Sequence, residues 1–387
     1  MILALFGCGP DIHALYEEER TRALAVASDR PARWSPDLVL ALGDGALARA
    51  VDAAATEALA TDAALTLGLP LGATAKLEPS FRVQKATLSA SDACAACLHF
   101  DLDGKGEVRW SLANLGDKFS ADAQVAGVIE LRVEEGKRIV AKPFRVGKVE
   151  VKTGEITGLR VSPASLLQDW VRSAIGERLP PIPIADFSAS GLPMRDLRLA
   201  TQSGQVRVEL LSDVPSATEA TLPAPGRDDV LLGISETALA GLLRRAAFEK
   251  GTVAMDIAID PRAIDVEGTT FHIDLRLWRL AGAGWWRDYD VEGTLEVVEN
   301  KLKLTPRVIT EVAQSPGAEL ADPLAALFES KILDAIAAGL DRSLPAASRQ
   351  DLGQVGLRAL AKSVRGEHDT LVVEGELRVV KGKDAKD

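Results

Sequence analysis

Residues 37–48, Asp37-Leu-Val-Leu-Ala-Leu-Gly-Asp-Gly-Ala-Leu-Ala48, reappear in diverged form as Asp229-Val-Leu-Leu-Gly-Ile-Ser-Glu-Thr-Ala-Leu-Ala240, at an offset of 192 residues. A second stretch, from Asp169 to Leu192, matches Asp334 to Leu357 at an offset of 165. In each copy, the residue pattern predicts a helix, then strands, a second helix, a Leu-Pro turn and a final hairpin. This repeat indicates a tandem duplication. The offsets of 192 and 165 differ by 27, which indicates a longer strand region in the first copy.

The chain has 387 residues, enough for two domains of ordinary size. Its 47% hydrophobic and 26% charged residues are typical of a globular protein. From the repeat and the Pro-rich stretch after residue 212, we expect five segments. They are a lipobox-like segment and tether (1–33), a first domain (34–215), a linker (216–228), a second domain (229–381) and a charged tail (382–387).

The net charge of −11 argues against nucleic acid as a partner, because phosphate binding needs a basic surface. It also weakens any general attraction to anionic membranes. No stretch reaches the roughly 18 apolar residues needed to span a bilayer.

The N-terminus is the one candidate targeting signal. Leu5-Phe-Gly-Cys8 resembles a bacterial lipobox, whose cysteine becomes acylated after signal removal. Only seven residues precede Cys8 and none is basic, so the signal is incomplete. Either the start lies further upstream or the match is accidental. If the start lies further upstream, the motif predicts lipidation of Cys8, with an acyl anchor in the membrane and the polar residues 11–33 as a tether.

The periodicity of the chain predicts an α+β fold. Helices are expected at residues 46–60, after Pro163, and at residues 236–249 and 323–340, from apolar residues at three and four residue spacing. Between them, alternating apolar and polar residues predict antiparallel strands. We therefore expect a strongly curved antiparallel sheet wrapped around a long helix in each copy.

The apolar stripes of these helices are the candidate lipid-binding residues. A stripe of alanines leaves space between helix and sheet in which an acyl chain can be buried. The alternative is that the stripes are ordinary protein core. The stripes consist of Leu47, Val51, Ala54, Ala58, Leu167, Val171, Ile175, Leu239, Leu243, Phe328, Ile332 and Ile336.

Two sets of surface residues are candidates for membrane contact. Trp285 and Trp286 follow a Gly-rich turn, where indoles suit a membrane interface; packing at a strand start is the alternative. A basic run, Arg138, Lys142 and Lys148 with Lys152, can meet anionic headgroups or simply form a solvated sheet face.

Cys94 and Cys97 stand among strand-forming residues, which favours a local disulfide over a redox site. With His99 nearby, a zinc site is a further alternative, but a second pair of ligands is missing. Residues 101–106 faintly resemble a calcium loop, and a hairpin turn is favoured there. No metal and no cofactor is expected.

No sequence motif of a hydrolase, a zinc peptidase, a dinucleotide-binding fold or a phosphate-binding loop is present. We expect no enzymatic activity, although the absence of these motifs does not exclude an enzyme, and a hydrolase is the third alternative.

Residues 229–251 resemble the opening of the second domain of bactericidal/permeability-increasing protein and its relatives. Element order extends this resemblance over roughly residues 34–381. The resemblance implies two tandem tubular lipid-binding domains end to end, each with one apolar lipid site. Two departures are the acidic net charge, where lipopolysaccharide-neutralising members rely on a basic tip, and the close cysteine spacing, which does not match the longer-range disulfide of the animal proteins.

The expected function is thus binding or transfer of phospholipid or another acyl-chain amphipath. The protein would be bacterial and exported, either periplasmic or held at the outer membrane by a lipid anchor. A structural or scaffolding lipoprotein, with filled barrels and a protein partner, is the alternative.

Overall fold

The structure is a computed structural model of the whole chain. It describes residues 11–26, 34–59, 64–69, 72–135, 138–154, 162–187, 194–202, 205–214, 218–226, 229–254, 256–299, 301–316, 318, 347–352 and 355–381. Within these ranges, every helix is too short or too polar to cross a membrane.

The first half of the chain contains three helices and nine strands among the described residues. One turn of π-helix, Ala174–Arg178, extends the third helix. The elements are α1 (Ile12–Ala23), β1 (Leu38–Leu42), α2 (Asp44–Leu59), β2 (Leu65–Gly68), β3 (Thr74–Ser91), β4 (Cys97–Leu112), β5 (Leu115–Glu134), β6 (Arg138–Thr153), α3 (Ala164–Ser173), β7 (Ile182–Asp186), β8 (Met194–Gln202) and β9 (Gln205–Ser212).

The second half contains one helix and nine strands among the described residues. The helix predicted at 323–340 lies outside them. The elements are β10 (Asp229–Ser235), α4 (Glu236–Lys250), β11 (Thr252–Ala254), β12 (Ile257–Glu267), β13 (Thr270–Arg279), β14 (Trp285–Val298), β15 (Lys301–Gln314), β16 (Ala347–Leu352), β17 (Val355–Gly366) and β18 (Thr370–Lys381).

The strands form three antiparallel sheets. The first sheet contains β2 to β7 in chain order, and the second contains β11 to β15 in chain order. A central sheet, ordered β16-β17-β18-β10-β1-β9-β8, takes strands from both halves. Mostly antiparallel sheets with few helices agree with the α+β class expected from the sequence.

The registers of the central sheet follow the two sequence offsets. At the middle of the sheet, β1 pairs with β10, and Leu40 lies opposite Leu232, the residue 192 positions further on. On either side, Val39 pairs with Glu209, while their equivalents Leu231 and Glu374 pair with each other. The two halves therefore pair about a local two-fold axis that passes between Leu40 and Leu232.

Strand length distinguishes the halves. The long strands of the first sheet, β3 to β6, have 16 to 20 residues. Strands β12 to β15 of the second sheet have 10 to 14. The longer strand region expected in the first half is thus present as longer strands.

Two helices occupy equivalent places after β1 and β10. Helix α2 begins at Asp44, and α4 begins at its equivalent, Glu236. The Ser235 hydroxyl caps α4 by accepting a hydrogen bond from the Ala238 amide, and Gly251, with φ of 74°, ends it. Both helices agree with the predicted ones within two residues.

In the first and the second sheet, a buried phenylalanine lies over a glycine of the neighbouring strand. Phe100 pairs with Gly127 in the first sheet, and Phe271 pairs with Gly293 in the second. A Cβ on Gly127 would lie 2.7 Å from the Phe100 ring, so only glycine fits under it. Glycines covered by aromatic rings in this way permit strong sheet curvature.

The N-terminal segment differs from the expected tether. Residues 12–23 form α1, whose apolar side chains Ile12, Tyr16 and Ala23 are buried. The Asp11 carboxylate caps this helix by accepting hydrogen bonds from the amides of His13 and Ala14. The overall polarity of the segment concealed an apolar face at helical spacing.

The segment 101–106 also differs from its prediction. It is a continuous part of β4 and not a hairpin turn. Its two glycines pair across to β3, where Gly106 lies opposite Phe81. Gly106 therefore accommodates the close approach of Ser80 and Phe81 rather than a change of chain direction.

Candidate apolar binding interior

Helix α2 packs between the first sheet and the central sheet. It packs on β3 and β7 of the first sheet, on the 174–178 turn, and on β10, β17 and β18 of the central sheet. One side of this helix carries the partly exposed Arg49, Asp52 and Thr56, and the rest of its surface is mainly apolar. Its predicted stripe residues Leu47, Val51, Ala54 and Ala58 are all buried, with exposed fractions of 0 to 4%.

The stripe of α3 closes the same interior from the side of β5 and β6. Leu167, Val171 and Ile175 are fully buried. Trp170 stacks on Phe81 of β3, with ring centroids 5.9 Å apart. Helix α3 therefore covers apolar residues of the first sheet together with α2.

In the second half, α4 packs along β12. Its predicted residues Leu239 and Leu243 are buried and belong to the same continuous apolar cluster as the stripes of α2 and α3. The structure thus brings nine of the twelve predicted lipid-binding residues into one interior. The other three, Phe328, Ile332 and Ile336, lie outside the described residues.

Two carboxyl groups on the helices, one partly buried and one buried, were not predicted. Asp52 lies on α2, and its Oδ1 atom is buried without a hydrogen-bond partner among the described residues. Burial raises its pKa. An aspartate within an alanine-rich helix was the available sequence signal.

The second carboxyl group is that of Glu236, which is 6% exposed. Burial raises its pKa to about 7, and the charges of Asp265 and Asp369 add to this effect. A hydrogen bond that its Oε1 accepts from the Val266 amide, at 2.8 Å, acts in the opposite direction. This environment depends on contacts between α4, β12 and the β17–β18 turn, which no local sequence pattern reveals.

Trp285 and Trp286 begin β14 and are only partly exposed. Trp285 packs against the large apolar cluster, and Trp286 packs against a smaller one beneath α1. The Arg276 guanidinium lies 4.0 Å from the centre of the Trp286 ring. Both indoles thus have contacts within the protein in addition to their exposed edges.

The basic run on β6 is largely neutralised by neighbouring carboxylates. Lys142 forms a salt bridge with Glu134, and Lys148 forms one with Glu150 at 2.8 Å. Arg138 lies 3.7 Å from Asp186. These pairs favour the solvated sheet face over a headgroup-binding surface.

A concavity of ≈ 880 Å³ lies on the polar face of β3 and β4. Four cationic and two anionic side chains line it, and the cations Arg82 and Lys105 lie directly opposite each other. Like charges in this arrangement are unfavourable. The concavity is separate from the predicted apolar stripes.

Cys94 and Cys97 form a disulfide at the turn between β3 and β4. This bond engages both cysteines that the zinc alternative would need. No cluster of three metal-ligating side chains occurs in the described parts of the chain. Cys8 lies outside them.

No protein-family model matches the chain, and no curated protein sequence matches it. The solved structures similar to it include a crystal structure of lipopolysaccharide binding protein, with 13% identity and a TM-score of 0.41 over 90% of this chain and 100% of that one. Another is P47 of Clostridium botulinum E1, with 9% identity and a TM-score of 0.34 over 89% of this chain and 100% of that one. Similarities this weak do not establish a shared fold or a shared activity.

Proposed function

We propose that the chain is a non-enzymatic protein that binds or transfers phospholipid or another acyl-chain amphipath. In this proposal each half is a tubular unit in which an acyl chain lies between the helix and the curved sheet. The observation that carries it is the continuous apolar interior that includes the stripes of α2, α3 and α4.

Helix α2 supplies the length that an acyl chain needs. Its 16 residues span about 24 Å, which is comparable to an extended acyl chain. Its side facing the first sheet is built largely from alanine, so a small movement of the helix away from that sheet opens a narrow apolar slot. Each methylene buried there contributes about 0.8 kcal/mol, which offsets the weaker packing of the helix on the sheet after this movement.

The longer strands of the first sheet predict that its unit holds a longer chain than the second. The headgroup would stay near the opening, where polar side chains and water are available. As part of the same proposal, the protein is an exported bacterial lipoprotein anchored through Cys8, either periplasmic or at the outer membrane.

A scaffolding protein with a filled interior is the second candidate. It is favoured by one observation, the exposed fractions of 0 to 4% at Leu47, Val51, Ala54 and Ala58. Protein atoms alone already exclude water from these side chains. In that case the surface, and not the interior, would bind a partner.

Lipid that copurifies with the protein separates the two candidates. Protein purified without detergent would be extracted with organic solvent and the extract analysed by mass spectrometry. Near-stoichiometric acyl lipid is expected. An empty extract, together with no binding of an added fluorescent phospholipid, would exclude the lipid-binding proposal and leave the scaffold.

A pair of variants then locates the site. Ala54→Leu fills the space between α2 and the sheet, and we expect it to reduce bound lipid several-fold. Thr56→Leu is the matched control, because Thr56 lies on the other side of α2 and is partly exposed. If the interior is already filled, Ala54→Leu costs about 1–3 kcal/mol of stability by overpacking and changes no lipid content.

A further inference from the structure

Helix α1 seals a small apolar cluster on the outside of the second half. Tyr16 lies between two aromatic rings, with its centroid 5.4 Å from that of Phe248 and 5.9 Å from that of Trp278. Ile12 and Ala23 complete the contact from the helix side. Trp278 is fully buried under this cover.

A charged network holds α1 in the same place. Arg244 of α4 donates hydrogen bonds to Glu19 of α1 at 2.5 Å and to Asp260 of β12 at 2.6 and 3.1 Å. The Asp260 side chain is only 1% exposed. Because one guanidinium bridges both carboxylates, displacing α1 removes Glu19 from the network and leaves Arg244 paired with Asp260 alone.

The start of α1 is held against the turn between β13 and β14. The His13 ring nitrogen Nε2 lies 3.4 Å from the Gly282 carbonyl oxygen. A Cβ on Gly284 would lie 2.9 Å from the Ile12 side chain. The chain therefore enters α1 directly beside the 281–284 turn that leads into Trp285.

The residues before Asp11 read Met-Ile-Leu-Ala-Leu-Phe-Gly-Cys-Gly-Pro and carry no charged side chain. Only Gly9 and Pro10 separate Cys8 from Asp11, and three residue steps reach at most about 11 Å. Any attachment at Cys8 is thus confined to the neighbourhood of the 281–284 turn.

We propose that α1 orients the protein on a lipid surface, so that a membrane holding the N-terminal segment is contacted by the 281–284 turn and the adjoining indoles of Trp285 and Trp286. Gly282 and Ala283 are exposed at this turn, and partly exposed indoles suit the interface between headgroups and acyl chains. This inference rests on the membrane attachment in the proposed function.

Cys8 provides a direct test, because it is the one cysteine outside the Cys94 and Cys97 disulfide. The protein would be coupled through Cys8 to a maleimide-bearing phospholipid in phosphatidylcholine vesicles, and amide hydrogen exchange would be compared with that of uncoupled protein. We expect exchange at 281–286 to slow several-fold on coupling. Exchange at 112–115, the turn between β4 and β5, should stay unchanged.

Two variants test whether the docking of α1, and not merely the closeness of any coupled protein to the vesicle, brings residues 281–286 to the membrane. Tyr16→Ala removes the aromatic contact, and Glu19→Gln weakens the charged one while retaining the side-chain shape. Both should reduce the protection of 281–286 in the coupled protein. No protection at 281–286, equal protection at 112–115, or protection that neither variant alters would overturn the inference. Because the coupling chemistry replaces natural acylation and involves no lipid inside the protein, such a failure leaves the lipid-extraction result standing.

Discussion

Replacing Glu236 by glutamine should remove a distinct part of the pH dependence of stability. Glu236 is buried at the first residue of α4, and its pKa in the folded protein is raised from 4.5 to about 7, mainly by burial. In the unfolded chain the same carboxyl group has its ordinary pKa. Between these two values the folded protein binds a proton that the unfolded chain has released.

The sign follows from this difference. The stabilisation from protonated Glu236 is fully present below pH 4.5 and is lost as pH rises through about 7. The free energy of unfolding therefore falls across this range. A full shift corresponds to about 3 kcal/mol, and solvent screening reduces this to about 2 kcal/mol.

Urea denaturation of the wild type and Glu236→Gln, followed between about pH 5 and about pH 8, measures the effect. Glutamine cannot ionise, and its amide oxygen can still accept the Val266 hydrogen bond. The stability of the variant relative to wild type should rise with pH by about 2 kcal/mol. Asp44→Asn is the control variant. It also replaces the acidic first residue of a helix by its amide, at the equivalent position in α2. A difference between wild type and Glu236→Gln that is constant with pH would refute the reasoning.

Three further substitutions test the contacts that shape the fold. Gly127→Ala should lower the free energy of unfolding by about 1–3 kcal/mol, because its Cβ overlaps the Phe100 ring, and a variant of wild-type stability in urea would contradict the close packing. Asp37→Ala should cost about 1–3 kcal/mol by leaving the buried Ser212 amide and hydroxyl without their acceptor, 2.6 Å away; Asp37→Asn should recover part of this loss in the same assay. Tyr16→Ala should make α1 the first site of limited proteolysis while the rest of the chain stays resistant, whereas unchanged digestion would show that α1 is held by other contacts.

Local patterns predicted the helices that pack against the sheets. Helices α2 and α4 begin with an acidic residue and carry apolar side chains at helical spacing, and both follow the repeated strand. The registers of the central sheet follow the same offsets as the sequence, since equivalent residues occupy equivalent pairing positions. Such information is contained within one element or within one repeat.

The structure differs from the sequence predictions where contacts between residues far apart in the chain determine the local conformation. Gly104 and Gly106 were interpreted as turn residues, but β4 continues through both, and Gly106 lies against Phe81 of β3. Helix α1 was interpreted as a tether because its mean polarity is high, and its partners Phe248 and Trp278 are more than 200 residues away. The raised pKa of Glu236 likewise depends on β12 and on the β17–β18 turn.

The pairing of Leu40 with Leu232 makes the two halves mutually dependent. Strands β1 and β10 cover each other's hydrogen-bonding edges at the middle of the central sheet, so the two halves share one sheet and are not independent domains joined by a linker. A half expressed alone would present that edge uncovered, as a ready template for another strand. The same local two-fold axis would then relate two separate molecules, and the isolated half should associate as an isologous dimer.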